Sequence, residues 1–151
     1  MRRFTYKGKY NPVYPHKYQG ILTNITYRSM WERRFMKYCD LNVNVLLWSS
    51  EELVIPYLSP VDRKMHRYYP DFLIKVKKQD GTKHTMVIEV KPKRETKAPK
   101  KKSRITPRYL NEMKTWSINE AKWKHANEFC KDKNWEFKIL TEDFKALLND
   151  S

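Results

Sequence analysis

Gln79-Asp80-Gly81-Thr82 lies between two runs of β-branched and apolar residues, 68–76 and 83–91. An Asp-Gly pair in that setting marks a hairpin, because both residues tolerate the left-handed conformation a tight turn requires. The two runs are therefore expected as adjacent antiparallel strands. Side chains alternate along a strand, so Val87, Glu89 and Lys91 share one face and Ile88 and Val90 the other. With the turn centred between Asp80 and Gly81, paired positions sum to about 161, and Asp71 faces position 90 to within one residue.

The remaining elements are arranged around this hairpin. Ser29-Met30-Trp31-Glu32 fits a capping box and opens a helix to about Asp40, with Trp31, Phe35 and Tyr38 on one face. Strands are expected over 43–48 and over 53–58, where Pro56 indicates an edge strand or a strand end. Residues 62–67 read as a polar hairpin loop. Residues 107–116 read as a short helix. Ser117-Ile118-Asn119-Glu120 repeats the capping pattern and opens a second helix to about Lys133, with Ala121, Ala126, Phe129 and Cys130 facing inward. A last strand over 135–140 and a closing helix over 141–148 complete the chain. The order predicts a single α/β domain with a mixed central sheet flanked by helices. Residues 1–26, with Tyr6, Tyr10, Tyr14 and Tyr18 among Pro and Gly, are expected as an extended arm packed on the domain or on a partner. The domain proper spans 27–151 and carries a loop at 92–106.

Thirty-two Lys and Arg against 17 Asp and Glu give a net charge of +15. An excess this large points to a polyanionic partner, and nucleic acid comes first because each neutralised phosphate releases counterions. No run of 18 apolar residues is present, which argues against a helical membrane span. The amino-terminal residues lack the apolar segment of a signal peptide. Cys39 and Cys130 stand in separate segments without zinc-site spacing, so a reduced, intracellular setting without disulfides is expected.

Phosphodiester hydrolysis needs a hydroxide near neutral pH, neutralisation of charge growing on phosphoryl oxygens, and stabilisation of the leaving oxygen. A divalent cation serves all three needs, and a hard cation such as Mg²⁺ binds carboxylate oxygens. Asp71 and Glu89, on paired strands, supply two such carboxylates, which would repel each other unless a cation is shared. Glu89 interrupts the apolar run Met86-Val87-Ile88-Glu89-Val90, where a lone buried carboxylate is costly. Lys91, two residues beyond Glu89, is expected to stabilise developing charge rather than act as a general base.

Pro70-Asp71 followed by Glu89-Val90-Lys91 resembles the PD-(D/E)xK nuclease superfamily, over residues 27–140. Tyr27-Arg28-Ser29, Trp31-Glu32, Tyr69-Pro70-Asp71-Phe72 and Ile88-Glu89-Val90-Lys91-Pro92 look most like the head-completion nucleases of tailed bacteriophages. The endonuclease subunit of heteromeric transposases is similar as well. The resemblance implies an endonuclease acting on DNA ends during virion assembly, with Mg²⁺ as cofactor, Mn²⁺ able to substitute, and no small-molecule cofactor. It implies catalytic roles for Glu32, Asp71, Glu89 and Lys91, and a metal held by Asp71, Glu89 and the Val90 carbonyl. Phage head or neck proteins are implied partners, and the infected cell's cytoplasm or the virion the implied location.

Eight of the 14 residues from Lys91 to Arg104 are basic, and Pro92 and Pro99 break regular structure there. Lys93, Arg94, Lys97, Lys100, Lys101, Lys102 and Arg104 are expected to grip DNA phosphates, extended by Lys122 and Lys124 on the outer side of the later helix. Two rival functions share the charge and the core. One is a non-catalytic DNA-binding virion protein with a nuclease-like fold, which has no need of converging carboxylates. The other is a resolvase of branched DNA.

Overall fold

A computed structural model describes residues 7–141. The four-stranded sheet at its centre is built from β3 (Val45–Ser50), β6 (Phe72–Lys77), β7 (Lys83–Val90) and β8 (Glu136–Leu140), in the order β3-β6-β7-β8. The first three strands run antiparallel and β8 joins β7 in parallel. A parallel return needs a crossover, and α2 (Pro107–Asp132) provides it. Helix α1 (Met30–Leu41) covers one face of the sheet and α2 the other. The expected mixed sheet with flanking helices is what forms.

β7 is central, which explains its unbroken apolar run. Met86 and Ile88 pack with Phe35, Met36, Trp48, Phe72 and Ile74 on the α1 side. Val87 packs with Tyr57, Tyr68, Trp123, Ala126 and Cys130 on the α2 side. Both cysteines are buried and free. No helix among the described residues is long and apolar enough to cross a membrane.

Two further pairs of strands flank the sheet: β1 (Gly8–Lys9) with β2 (Thr26–Tyr27), and β4 (Ile55–Leu58) with β5 (Met65–Tyr68). The second pair corrects the sequence reading. Residues 62–67 were expected as loop and 68–76 as one strand. Instead β5 ends at Tyr68, its chain turns through Tyr69 and Pro70, and β6 begins at Phe72. Pro70 cannot donate to a ladder, and the break lets β5 leave the main sheet for β4.

The two helices expected over 107–116 and 117–133 are one helix of 26 residues. Thr106 caps it by accepting from the Tyr109 amide, and Pro107 takes the first position, where its missing N–H costs nothing. Ser117 cannot cap in mid-helix, and its hydroxyl donates back to the Met113 carbonyl at 3.0 Å. The inward face differs too: Asn119, Trp123, Ala126 and Cys130 are buried, while Ala121 and Phe129 are half-buried.

Residues 7–26 lie on the domain. Tyr10, Tyr18 and Ile25 enter the α1-side core. Fully buried Asp40 holds the segment by accepting from the Tyr10 hydroxyl at 2.7 Å and from the Val13 and Tyr14 amides at 2.7 and 3.0 Å. Lys17 Nζ donates to the Asp40 and Asn42 carbonyls. Tyr6 and the closing helix expected over 141–148 lie outside the described residues, Thr141 excepted.

Candidate active site

The β6–β7 ladder pairs Phe72 with Ile88 and Lys77 with Lys83, so paired positions sum to 160. That is one less than the turn chemistry suggested, because the loop takes in 78–82, with Gly81 at φ 86° and Asp80 accepting from Thr82. One step beyond the Phe72 pair, Asp71 stands opposite Glu89, on the same face as its partner. A slip of one residue would have put the two on opposite faces.

Asp71 Oδ2 accepts from the Val90 amide at 2.7 Å, which fastens it to β7. Glu89 is buried, with only 6 % of its surface exposed. The two carboxylates stand across the ladder within electrostatic reach of each other. Burial pushes Asp71 well above the usual carboxylate range, and the charge of Glu89 pushes it further. Burial also raises Glu89, against the pull of Lys91. Two like charges this poorly solvated and this near each other resist ionising together without a counter-charge. The arrangement fits a shared divalent cation, whose positive charge and demand for oxygen ligands relieve that conflict. Among the described residues no group of three His, Cys, Asp or Glu side chains is placed to hold a metal. A ligand set here would therefore rest on two carboxylates, leaving other positions to water, substrate or a backbone oxygen.

Glu32 is brought to the same place from α1. The Ser29 hydroxyl accepts from the Glu32 amide at 3.1 Å, and Glu32 Oε1 accepts from the amide of Arg28 at 3.1 Å, one residue further back than a standard capping box. Burial raises the Glu32 carboxyl, and Asp71 and Glu51 add to the rise. Lys91 is half-buried, and its amide donates to the Leu140 carbonyl at the end of the β7–β8 ladder.

Three neighbours were missed by the sequence reading. Glu51 follows β3 in the left-handed region at φ 54°, and its amide donates to the Asp71 carbonyl at 3.2 Å. A single non-glycine residue at positive φ carries no sequence signature. The Arg28 guanidinium meets both Glu51 carboxylate oxygens at 2.6 Å and feels Glu32 and Asp71. Tyr68, at the end of β5, sets its buried hydroxyl beside Glu89. Its place two residues before Pro70 is visible in the sequence, but only the β4–β5 hairpin turns it inward.

The basic side chains expected to grip DNA, Lys93, Arg94, Lys97, Lys100, Lys101, Lys102 and Arg104, are exposed along the segment that leaves β7, which includes one 3-10 turn at Lys93–Thr96. Lys124 is exposed on α2. Lys122 is not on the outer side: its ammonium lies 5.8 Å from the Tyr57 ring centroid and 5.6 Å from that of Tyr68, which draws it to the β4–β5 hairpin.

A family model for the amino-terminal part of TnsA-like endonucleases matches residues 42–142, which contain Asp71, Glu89 and Lys91. The chain belongs to this TnsA-like endonuclease family. It is also 40 % identical over 142 residues to the head completion nuclease of Enterobacteria phage T4, across 91 % of this chain and 92 % of that protein. The resemblance to PD-(D/E)xK nucleases, and within them to the phage proteins, therefore holds over nearly the whole length of this TnsA-like endonuclease. No solved structure gives a significant match.

Proposed function

We propose that this endonuclease hydrolyses DNA phosphodiester bonds with Mg²⁺ as cofactor, and that it acts on DNA ends during virion assembly. The observation that carries the chemistry is the pairing of half-buried Asp71, one step before β6, with buried Glu89 on β7. The phage setting is supported by the likeness to the T4 head completion nuclease.

Asp71 and Glu89 would hold the ion, with the Val90 carbonyl as a further oxygen donor. When bound, it supplies Lewis acidity at the phosphoryl oxygens and an ionisable water near neutral pH. Lys91, two residues beyond Glu89, stabilises charge developing on the phosphate. Glu32 orients the attacking water from the α1 side. The basic residues of 93–104, with Lys124, hold the duplex through its phosphates and give little sequence preference. Mn²⁺ substitutes for Mg²⁺ because the oxygen donors suit both. Head or neck proteins of the virion are the further partners, and the infected cell's cytoplasm or the virion is the place of action.

The test is supercoiled plasmid incubated with protein and Mg²⁺. Nicked and linear products are expected, with none from Asp71→Ala or in EDTA. Undiminished cutting by Asp71→Ala would remove the two-carboxylate assignment. Tight, salt-sensitive binding without metal-dependent cutting would favour a non-catalytic DNA-binding role, and a strong preference for four-way junctions would favour a resolvase.

A further inference from the structure

A cleft of about 480 Å³ opens between the segment that leaves β7 and the amino-terminal half of α2. Arg94, Lys97 and Arg108 line it, with Trp116 and Asn119. Arg94 is three residues beyond Lys91, so the cleft adjoins the end of β7 that carries the catalytic carboxylates.

Asn119 distinguishes this cleft from an ordinary surface groove. It is 8 % exposed, it faces the cleft, and its side-chain amide has no hydrogen-bond partner among the described residues. Its amide nitrogen and oxygen open to the cleft and are not sealed in the interior, so a polar ligand there can take up their hydrogen bonds in place of water. The primary amide offers donors and an acceptor side by side, which matches the hydrogen-bonding edge of a nucleobase. Trp116 is half-buried and stands edge-on to Trp123, at 5.7 Å between centroids, so the indole is braced from one side and available for stacking. The two arginines and the lysine outnumber the lining carboxylates Glu95 and Glu112, the second of which meets Arg108 at 3.3 Å, and leave net positive charge for a phosphate. The volume lies within the range of small-ligand pockets.

We infer that this cleft is a binding site for one unpaired nucleotide of the DNA substrate, with the base between Trp116 and Asn119 and its phosphates on Arg94, Lys97 and Arg108. The inference rests on the nuclease reading for the kind of nucleic acid, and adds that the enzyme selects DNA with an unpaired nucleotide near the cut. Such a nucleotide can come from an overhanging end or from a base flipped out of a continuous duplex.

The experiment uses wild-type protein in EDTA, so that nothing is cut, and two 2-aminopurine probes. One carries the fluorophore in a short 3′ overhang and the other at a paired internal position. The overhang probe's emission is expected to change by about twofold or more on binding, with the internal probe unchanged. A response from the internal probe instead assigns the site to a flipped base. Asn119→Leu and Arg94→Ala are expected to lower the preference for overhang over blunt duplex by about tenfold, as loss of one stacked, hydrogen-bonded base would. Should either variant fail to fold, the wild-type probes decide alone. Silence from both probes, whether the DNA is bound or not, overturns the site. Plasmid cutting is scored separately, so a responding probe with no cutting would keep the cleft and discard the nuclease reading.

Discussion

The Val90 amide donates to Asp71 Oδ2 at 2.7 Å, which ties the first carboxylate to the strand that carries the second. Asp71 is not itself within a strand. It sits in the bend between Pro70 and Phe72, and this bond, with the Glu51 amide on the Asp71 carbonyl, holds it in line with Glu89. The position of Asp71 beside Glu89 is thus set by backbone donors, which a change of side chain elsewhere does not readily disturb.

The pair should make the metal-free protein sensitive to alkali. Both carboxyls are raised by burial, so the folded state holds a proton that the unfolded state gives up. Their contribution is most favourable below the unfolded carboxylate pKa of about 4 and is lost as pH rises through neutrality towards the folded values. Asp71→Asn removes the conflict. In EDTA its stability relative to wild type should therefore grow from pH 5 to pH 8, read by urea midpoints. Saturating Mg²⁺ should reverse the order, since a ligand at a hundred times its dissociation constant adds about 2.7 kcal/mol to the protein that binds it. A pH-independent difference between the two proteins would mean that the carboxylates are not coupled.

Lys91→Met keeps the aliphatic stem and removes the charge. If Lys91 works on the transition state, kcat should fall by about a hundredfold or more while KM changes little. Single-turnover cutting of a labelled duplex measures both. A loss confined to KM would make Lys91 a phosphate-binding residue only.

Glu32 caps the helix and, in the proposed mechanism, serves the site, and two substitutions separate these roles. Glu32→Gln can still accept from the Arg28 amide, so its melting should match wild type while cutting falls. Glu32→Ala loses both and should cost about 1 kcal/mol of stability in addition. Full activity in Glu32→Gln would leave Glu32 with the cap alone.

Asp40→Ala should destabilise by about 3 kcal/mol or more, because it strands the Tyr10 hydroxyl and two backbone amides without their acceptor. Asp40→Asn keeps one acceptor oxygen and should cost less than Asp40→Ala. Urea unfolding gives both values, and protease cleavage within residues 7–26 should accelerate in Asp40→Ala.

Local chemistry made much of this protein legible before any coordinates. The Asp-Gly turn paired two strands, Ser29 announced α1, and Pro70-Asp71 with Glu89-Val90-Lys91 named the chemistry, because each depends on neighbours in the chain. What tertiary structure decided were choices between local options of nearly equal energy. Ser117 could cap a helix or bond back within one, and continuous packing of α2 on the sheet selected the second. Tyr68 could prolong β6 or close β5, and pairing with Ile55 drew it to β5, beside Glu89. The ladder moved by one position from the turn-based estimate, and since strand side chains alternate, that single step determined that Asp71 and Glu89 share a face. Glu51, Arg28 and Tyr68 joined the site through contacts that span about 20 residues, for which a linear pattern holds no signal.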